Sequence, residues 1–222
     1  MGIASRLQQP IQQPAGPSGR RRFALVLAAA LAGAVPSAHA WILTGLGTNN
    51  PRRVFMMVGN GAGALWANNA TINTVSVSVP AAQLGNSTPQ AMTSNSTQST
   101  SPYDGFTVCS PPNQVYVGAA YQRQNAGNPA NATLQVTSPA NLTTVGGDTI
   151  PFTEISWTVS ALGGDANPGA IPAGTFSGGT QFLTAVAQGT MRENCHTFSF
   201  ANTAVRASGT YNGRVTYTLF VP

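Results

Sequence analysis

The chain of 222 residues contains no lysine, so all ten of its basic residues are arginine. Charged residues of either sign make up only 7% of the chain, and five of them are acidic. Arg6 and Arg20–Arg22 lie near the N-terminus, which leaves six arginines against five acids in the rest of the chain. A phosphate-binding surface needs clustered Lys or Arg. The composition therefore argues against a nucleic-acid partner.

Residues that catalyse reactions or bind metals are also scarce. Only His196 remains as a histidine after residue 40, and no Gly-x-Ser-x-Gly motif is present. One histidine and two cysteines are too few for a typical zinc site. Glu193 and Asp165 are a candidate glycosidase carboxylate pair, but both lie in turn-like sequence. We predict a protein that is not an enzyme and that has no cofactor and no bound metal.

The first 40 residues have the order of a secretory signal peptide. Arg20–Arg22 form a positive region, Phe23–Val35 is an uncharged apolar run, and Ala38–Ala40 has small residues on both sides of a histidine. The apolar run is too short for a membrane anchor, which needs roughly 20 residues. We predict cleavage after residue 40 and export of residues 41–222 to the periplasm, cell surface or extracellular space, with no membrane span. The arginine run also fits a twin-arginine signal, so the export route stays open between Sec and twin-arginine.

Cys109 and Cys195 are the only cysteines. An even number of cysteines in an oxidising compartment predicts one disulfide. It would close a loop of about 85 residues and stabilise the fold by on the order of 4–5 kcal/mol. His196 beside Cys195 suggests a catalytic thiol instead, but adjacent residues on a strand point to opposite faces. We interpret the polar segment Arg192–His196 as a turn organised by the disulfide.

Alternation of apolar and polar residues recurs after residue 40. Valines alternate with serines in Thr74–Pro80, and the odd positions of Tyr211–Val221 are mostly apolar while the even ones are polar, except Phe220. This period of two is typical of half-buried strands. Shorter segments with strand character are 53–58, 106–109, 114–121, 132–137, 154–160 and 196–201.

One segment favours a helix instead of a strand. In Thr180–Gly189, Phe182, Leu183 and Val186 would share one helical face, which predicts one or two helical turns. Asn86–Ser101 consists mostly of Asn, Ser and Thr and is predicted to be a long exposed loop. Taken together, residues 41–222 are predicted to form a single all-β domain, a β-sandwich with Greek-key character.

The segment Ala207-Ser208-Gly209-Thr210-Tyr211-Asn212-Gly213-Arg214-Val215-Thr216-Tyr217-Thr218-Leu219 resembles the ending of spore-coat-U-like and other chaperone–usher pilin subunits. Those families end with a Gly-Thr-Tyr turn and an alternating final strand. The resemblance implies an incomplete immunoglobulin-like sandwich. It also implies that a periplasmic chaperone, and then a like subunit, supplies the missing strand. Trp41–Thr48 is a poor donor strand, because Gly45 and Gly47 interrupt its alternation.

Three functions are compatible with these features. The preferred one is a structural or surface-exposed, non-catalytic subunit of a bacterial envelope appendage such as a pilus or fimbria. The alternative is a monomeric secreted binding module, an adhesin or glycan binder, with Trp66, Trp157 or loop tyrosines as stacking platforms. An exported hydrolase is the least favoured.

Overall fold

The computed structural model describes residues 52–61, 72–123, 130–160 and 170–222, which all belong to the unit His39–Pro222. The predicted signal peptide and the start of the mature chain lie outside these residues. Among the described residues, no helix has the length and hydropathy needed to cross a membrane.

The described residues form short and medium strands and two three-residue 3-10 helices, Ala81–Gln83 and Phe152–Glu154. The strands are β1 (Arg52–Val58), β2 (Val75–Ser76), β3 (Gln90–Ala91), β4 (Thr93–Ser94), β5 (Val115–Arg123), β6 (Ala132–Thr137), β7 (Asn141–Thr143), β8 (Thr149–Pro151), β9 (Ile155–Ser160), β10 (Gly174–Thr175), β11 (Thr180–Val186), β12 (Met191–Phe200) and β13 (Thr216–Phe220).

Two antiparallel sheets dominate the fold. The six-stranded sheet has the order β1-β5-β12-β9-β10, with β3 also paired to β12, and the three-stranded sheet has the order β11-β6-β13. Two further antiparallel pairs, β2-β4 and β7-β8, complete the ladders among the described residues. Most strands that pair with each other are far apart in the sequence, which is the pattern that Greek-key connections produce.

The main core lies between the two sheets. Val117 and Tyr121 of β5 and Trp157 of β9 pack in one buried cluster with Leu134 and Val136 of β6. All five side chains are at most 3% exposed. Alternate residues of each strand therefore fill the core, and the predicted all-β sandwich is confirmed.

The predicted helical turns at 180–189 are wrong, because β11 occupies this segment. It pairs with β6, and its register shifts between Phe182 and Thr184. A β-bulge places an extra residue in one strand and so changes which face the following residues occupy. Leu183 and Val186 are consequently both buried, although their spacing of three would point them to opposite faces of a regular strand. The bulge therefore produces a spacing that resembles the helical one.

The predicted turn at Arg192–His196 is also wrong, since these residues lie inside β12. Asn194 fits there because hydrogen bonds satisfy its side-chain amide. The Asn194 side chain accepts from the amide of Ile171 at 2.7 Å and donates to the carbonyl of Ser160 at 2.9 Å. Asn194 thus joins β12 to the end of β9 and to the segment that precedes β10.

The Asn/Ser/Thr-rich segment 86–101 is not a continuous exposed loop. It contains β3 and β4, and Met92 between them is 8% exposed and belongs to the main core. Ser96 and Ser101 are each 1% exposed. The predicted strand 106–109 is reduced to one bridge, between Thr100 and Thr107.

The C-terminal strand has the predicted faces but is shorter than its alternating pattern. The ladder of β13 covers only five residues, and it pairs with β6. Val215, Tyr217, Leu219 and Val221 all pack against the main core, whereas Phe220 is 56% exposed. These four residues are only partly buried, and two of them, Val215 and Tyr217, line a cavity.

Candidate functional site

A trough of ≈ 1620 Å³ opens beside the C-terminal strand. Two segments that are far apart in sequence line it, 72–79 and 206–217. Apolar side chains of the six-stranded sheet line it too, among them Met56, Phe198 and Phe200. The trough therefore exposes part of the main core between two extended segments.

The first of these segments, 72–79, is an incompletely paired strand. Val75, Val77 and Val79 are half-buried against the main core, while the serines between them are exposed. Only Val75–Ser76 pairs with β4, and no further ladder to another described residue follows. Asn95 fixes the start of the segment, because its side-chain oxygen accepts from the amide of Thr74 at 2.9 Å.

The second segment ends in β13, which pairs with β6 along one edge. Its other edge has no ladder partner among the described residues. Before β13, the segment is tied to β7 by backbone hydrogen bonds in both directions between Asn212 and Thr143, each 2.9 Å. Burial raises the pKa of Tyr217, so this trough-lining phenol stays neutral.

Few of the described residues that line the trough are charged. The described residues that line it include no carboxylate, and their only charged side chains are Arg206 and Arg214. Arg206 lies 3.6 Å from the carboxylate of Glu154. That carboxylate also accepts from the hydroxyl and from the amide of Thr203, the latter at 3.1 Å. A neutral, apolar and extended ligand suits this lining best.

The predicted disulfide between Cys109 and Cys195 is confirmed, with a Cα–Cα distance of 5.5 Å. It belongs to a second, smaller core that includes Phe55, Met57 and Tyr116. This core draws on the alternate residues of β1, β5 and β12, so it lies on the face of the six-stranded sheet that points away from the main core. The disulfide therefore fastens the segment that contains Cys109 to that face.

Glu193 is a buried carboxylate in this second region, at 2% exposure. The hydroxyls of Tyr116 and Ser101 both donate to it, the latter at 3.0 Å. Burial raises the pKa of Tyr116 well above its usual range, and the negative charge of Glu193 raises it further. Gly118, opposite Glu193 in the ladder, leaves the space that the Tyr116 ring occupies. Asp165, the other half of the candidate glycosidase pair, lies outside the described residues.

His196 is fully buried on the opposite face of β12 from Cys195. Its ring stacks on that of Trp157, with centroids 6.0 Å apart, and neither ring nitrogen has a hydrogen-bond partner among the described residues. Burial lowers the pKa of His196 to about 3, so the imidazole is neutral at physiological pH. In the part of the chain that the structure describes, no three His, Cys, Asp or Glu residues are grouped to hold a metal ion.

Trp157 does not serve as an exposed stacking platform, and that prediction is wrong. It is 3% exposed, and its indole N–H donates to the carbonyl of Pro172 at 2.9 Å. The indole fills the main core instead, because β9 points it inward between the sheets. Trp66, the other candidate, lies outside the described residues.

The sequence pattern did not identify Asn202 as a structural residue. It adopts φ 55°, in the left-handed region, and is fully buried. Its side chain accepts from the amide of Gly85 at 2.9 Å and donates to the carbonyl of Gln83 at 2.7 Å. Asn202 thus joins residues 83–85, which follow segment 72–79, to the segment after β12. Asn tolerates the left-handed backbone conformation, and this preference is the one feature of the sequence that could have identified Asn202 as a structural residue.

No protein-family model, no curated protein and no solved structure matches this chain. What supports a function is therefore the geometry of the trough and of the two segments beside it.

Proposed function

We propose that the protein is a non-catalytic structural subunit of a bacterial envelope appendage, and that its trough receives a β-strand from another polypeptide. The observation that carries this proposal is the trough itself, which segment 72–79 lines together with segment 206–217, as far as the first two residues of β13. β13 has one edge without a ladder partner among the described residues. A periplasmic chaperone occupies the trough first, and a like subunit replaces it during assembly.

A strand is the ligand that satisfies both kinds of surface in the trough. The edge of β13 offers backbone N–H and C=O groups, which an added strand would pair with. The apolar lining would receive every second side chain of that strand, because side chains alternate between faces. A compact ligand would leave the backbone groups of β13 without partners.

The lining also limits which strand fits. Arg206 and Arg214 are the charged side chains among the described lining residues, and the rest of the lining is mostly apolar. A strand with apolar residues at alternate positions and no lysine or arginine on that face is therefore favoured. Each such side chain that becomes buried would contribute roughly 1.5–3 kcal/mol, an upper value.

Export is part of the same proposal. The disulfide between Cys109 and Cys195 supports it, because disulfides form and persist in oxidising compartments such as the periplasm. The signal peptide predicted for residues 1–40 would bring the chain there.

The proposal can be tested with a pair of identical substitutions. Val77 lines the trough and is half-buried, whereas Val145 is fully exposed between β7 and β8 and does not line it. Val77→Asp would put a carboxylate where an apolar side chain must dock, and we expect it to abolish subunit ladders in envelope extracts. Val145→Asp should leave the ladders unchanged.

Folding has to be separated from assembly in this test. Val77→Thr, which nearly preserves the volume of the side chain, is the milder variant, and thermal melting of the purified monomers reports the fold. Loss of ladders with an unchanged melting temperature supports the proposal. Normal ladders from folded Val77→Asp protein would contradict it.

A further inference from the structure

The outer face of the three-stranded sheet carries side chains in regular rows. Leu134 and Val136 of β6 point into the core, so the alternate residues 133, 135 and 137 point outward. The register then defines three outward rows across β11, β6 and β13: Thr180, Thr137 and Thr216; Phe182, Gln135 and Thr218; Ala185, Thr133 and Phe220.

This face combines exposed aromatic rings with neutral polar groups. Phe182 is 61% exposed and Phe220 is 56% exposed, although both lie in strands that pair with β6. The remaining side chains are threonines, one glutamine and one alanine, so the nine positions carry no charge. Thr137 and Thr180 are already oriented by a 2.8 Å hydrogen bond between their hydroxyls.

The ladder register gives the spacing of the two rings. Phe182 and Phe220 lie on the two outer strands and two residue positions apart along them. Neighbouring strands are about 4.8 Å apart and consecutive residues about 3.4 Å, which places the two Cβ atoms about 12 Å apart on the diagonal. Gln135 and Thr133 of the central strand lie between them.

We propose that this face binds a neutral β-1,4-linked polysaccharide, with Phe182 and Phe220 as the two stacking positions. The apolar face of a pyranose ring packs on an aromatic ring, and a separation of about 12 Å suits sugars one disaccharide apart. In a β-1,4-linked chain these alternate sugars present the same face. Threonine hydroxyls and the Gln135 amide, which can both donate and accept, would pair with the sugar hydroxyls between the rings.

Charge favours this ligand over an acidic one. A face without a cation has nothing to balance the carboxylates or sulfates of an acidic polysaccharide, whereas a neutral chain needs no counter-charge. The two stacking positions are also separate from the trough, because neither Phe182 nor Phe220 lines it. The binding proposal therefore does not rest on subunit assembly.

The test measures adsorption of purified residues 41–222 to microcrystalline cellulose and to crystalline chitin, with starch granules as the α-linked control. We expect saturable binding to cellulose or chitin. The double variant Phe182→Ala/Phe220→Ala should bind at least about tenfold more weakly, because both stacking rings are lost. Phe106→Ala, which removes a phenyl that is 48% exposed outside this face, should bind like the unmodified protein.

Four results would overturn the proposal. Wild-type protein that adsorbs to neither cellulose nor chitin would do so, as would equal adsorption to starch. Equal binding by the double variant and by Phe106→Ala would show that Phe182 and Phe220 do not contact the polysaccharide. A double variant that adsorbs normally but elutes at a smaller size in gel filtration would assign the face to self-association. Melting temperatures show whether the variants are folded.

Discussion

Replacing Gly118 by alanine should strongly destabilise the protein through the buried carboxylate of Glu193. A Cβ at position 118 would lie 2.7 Å from Cζ of Tyr116 and even closer to its hydroxyl oxygen. Real Cβ atoms do not approach other heavy atoms this closely, so the Tyr116 ring must move. Since Tyr116 and Glu193 are buried, the ring has little room, and its hydrogen bond to the carboxylate would be lost.

The magnitude follows from two contributions. Loss of a buried hydrogen bond to a charged group costs roughly 1.5–3 kcal/mol. Overpacking by one methyl group costs about 1–3 kcal/mol more. Together they lower the melting temperature by roughly 5–24 °C for a domain of this size. Tyr116→Phe, which removes the hydroxyl without adding a methyl group, should show only the first contribution.

Thermal and urea unfolding of disulfide-intact protein at neutral pH would measure these effects. Gly146→Ala is the matched control, because a Cβ there would meet Thr144 Oγ1 at 3.6 Å, an ordinary van der Waals distance. The reasoning would be refuted if Gly118→Ala melted within a degree or so of Gly146→Ala. It would also fail if Tyr116→Phe were as stable as the unmodified protein.

Three further predictions concern His196, the disulfide and the C-terminal strand. The free energy of unfolding should decrease as pH falls from about 6.5 towards 3, because the unfolded chain protonates His196 while burial keeps the folded imidazole neutral. The full effect is on the order of 4–5 kcal/mol. In His196→Phe, the free energy of unfolding measured by urea titration should depend less on pH in this acid range. Replacing Cys109 and Cys195 by serine should lower the free energy of unfolding by on the order of 4–5 kcal/mol, measured in the same way. Leu219→Asp should abolish folding because it places an unpaired carboxylate against the core, whereas Thr218→Asp should be tolerated, as secreted yield and melting would show.

Each of these predictions has a clear contrary result. If the free energy of unfolding of His196→Phe decreased with acid pH as much as that of the unmodified protein, other groups would govern the pH dependence. Serine variants as stable as the parent would show that the disulfide contributes little to the free energy of unfolding. Equal tolerance of aspartate at 218 and 219 would mean that β13 does not have one buried face.

The strands with regular alternation could be predicted from the sequence. Val75, Val77 and Val79 face the core, and so do the odd positions of the C-terminal strand, because the period of two directly reflects burial on one face. The disulfide between Cys109 and Cys195 could be predicted as well, since no other cysteine was available.

Features that depend on contacts across the fold could not be predicted. The bulge in β11 gave Leu183 and Val186 a helical spacing, and only pairing with β6 identifies the segment as a strand. Glu193 and Asn194 resemble turn residues until their hydrogen-bond partners, which are distant in sequence, are known. The trough is likewise invisible in the sequence, because it forms where two segments about 130 residues apart come together without pairing.

The most direct test of the proposed assembly is the size distribution of the protein purified from its native envelope. Unheated extracts should contain a ladder of complexes that differ by one subunit, because a strand inserted between segment 72–79 and β13 would resist dissociation. Heating should collapse the ladder to a single band of the mature chain. Protein recovered only as a monomer, with its disulfide intact and its native fold retained, would contradict the account.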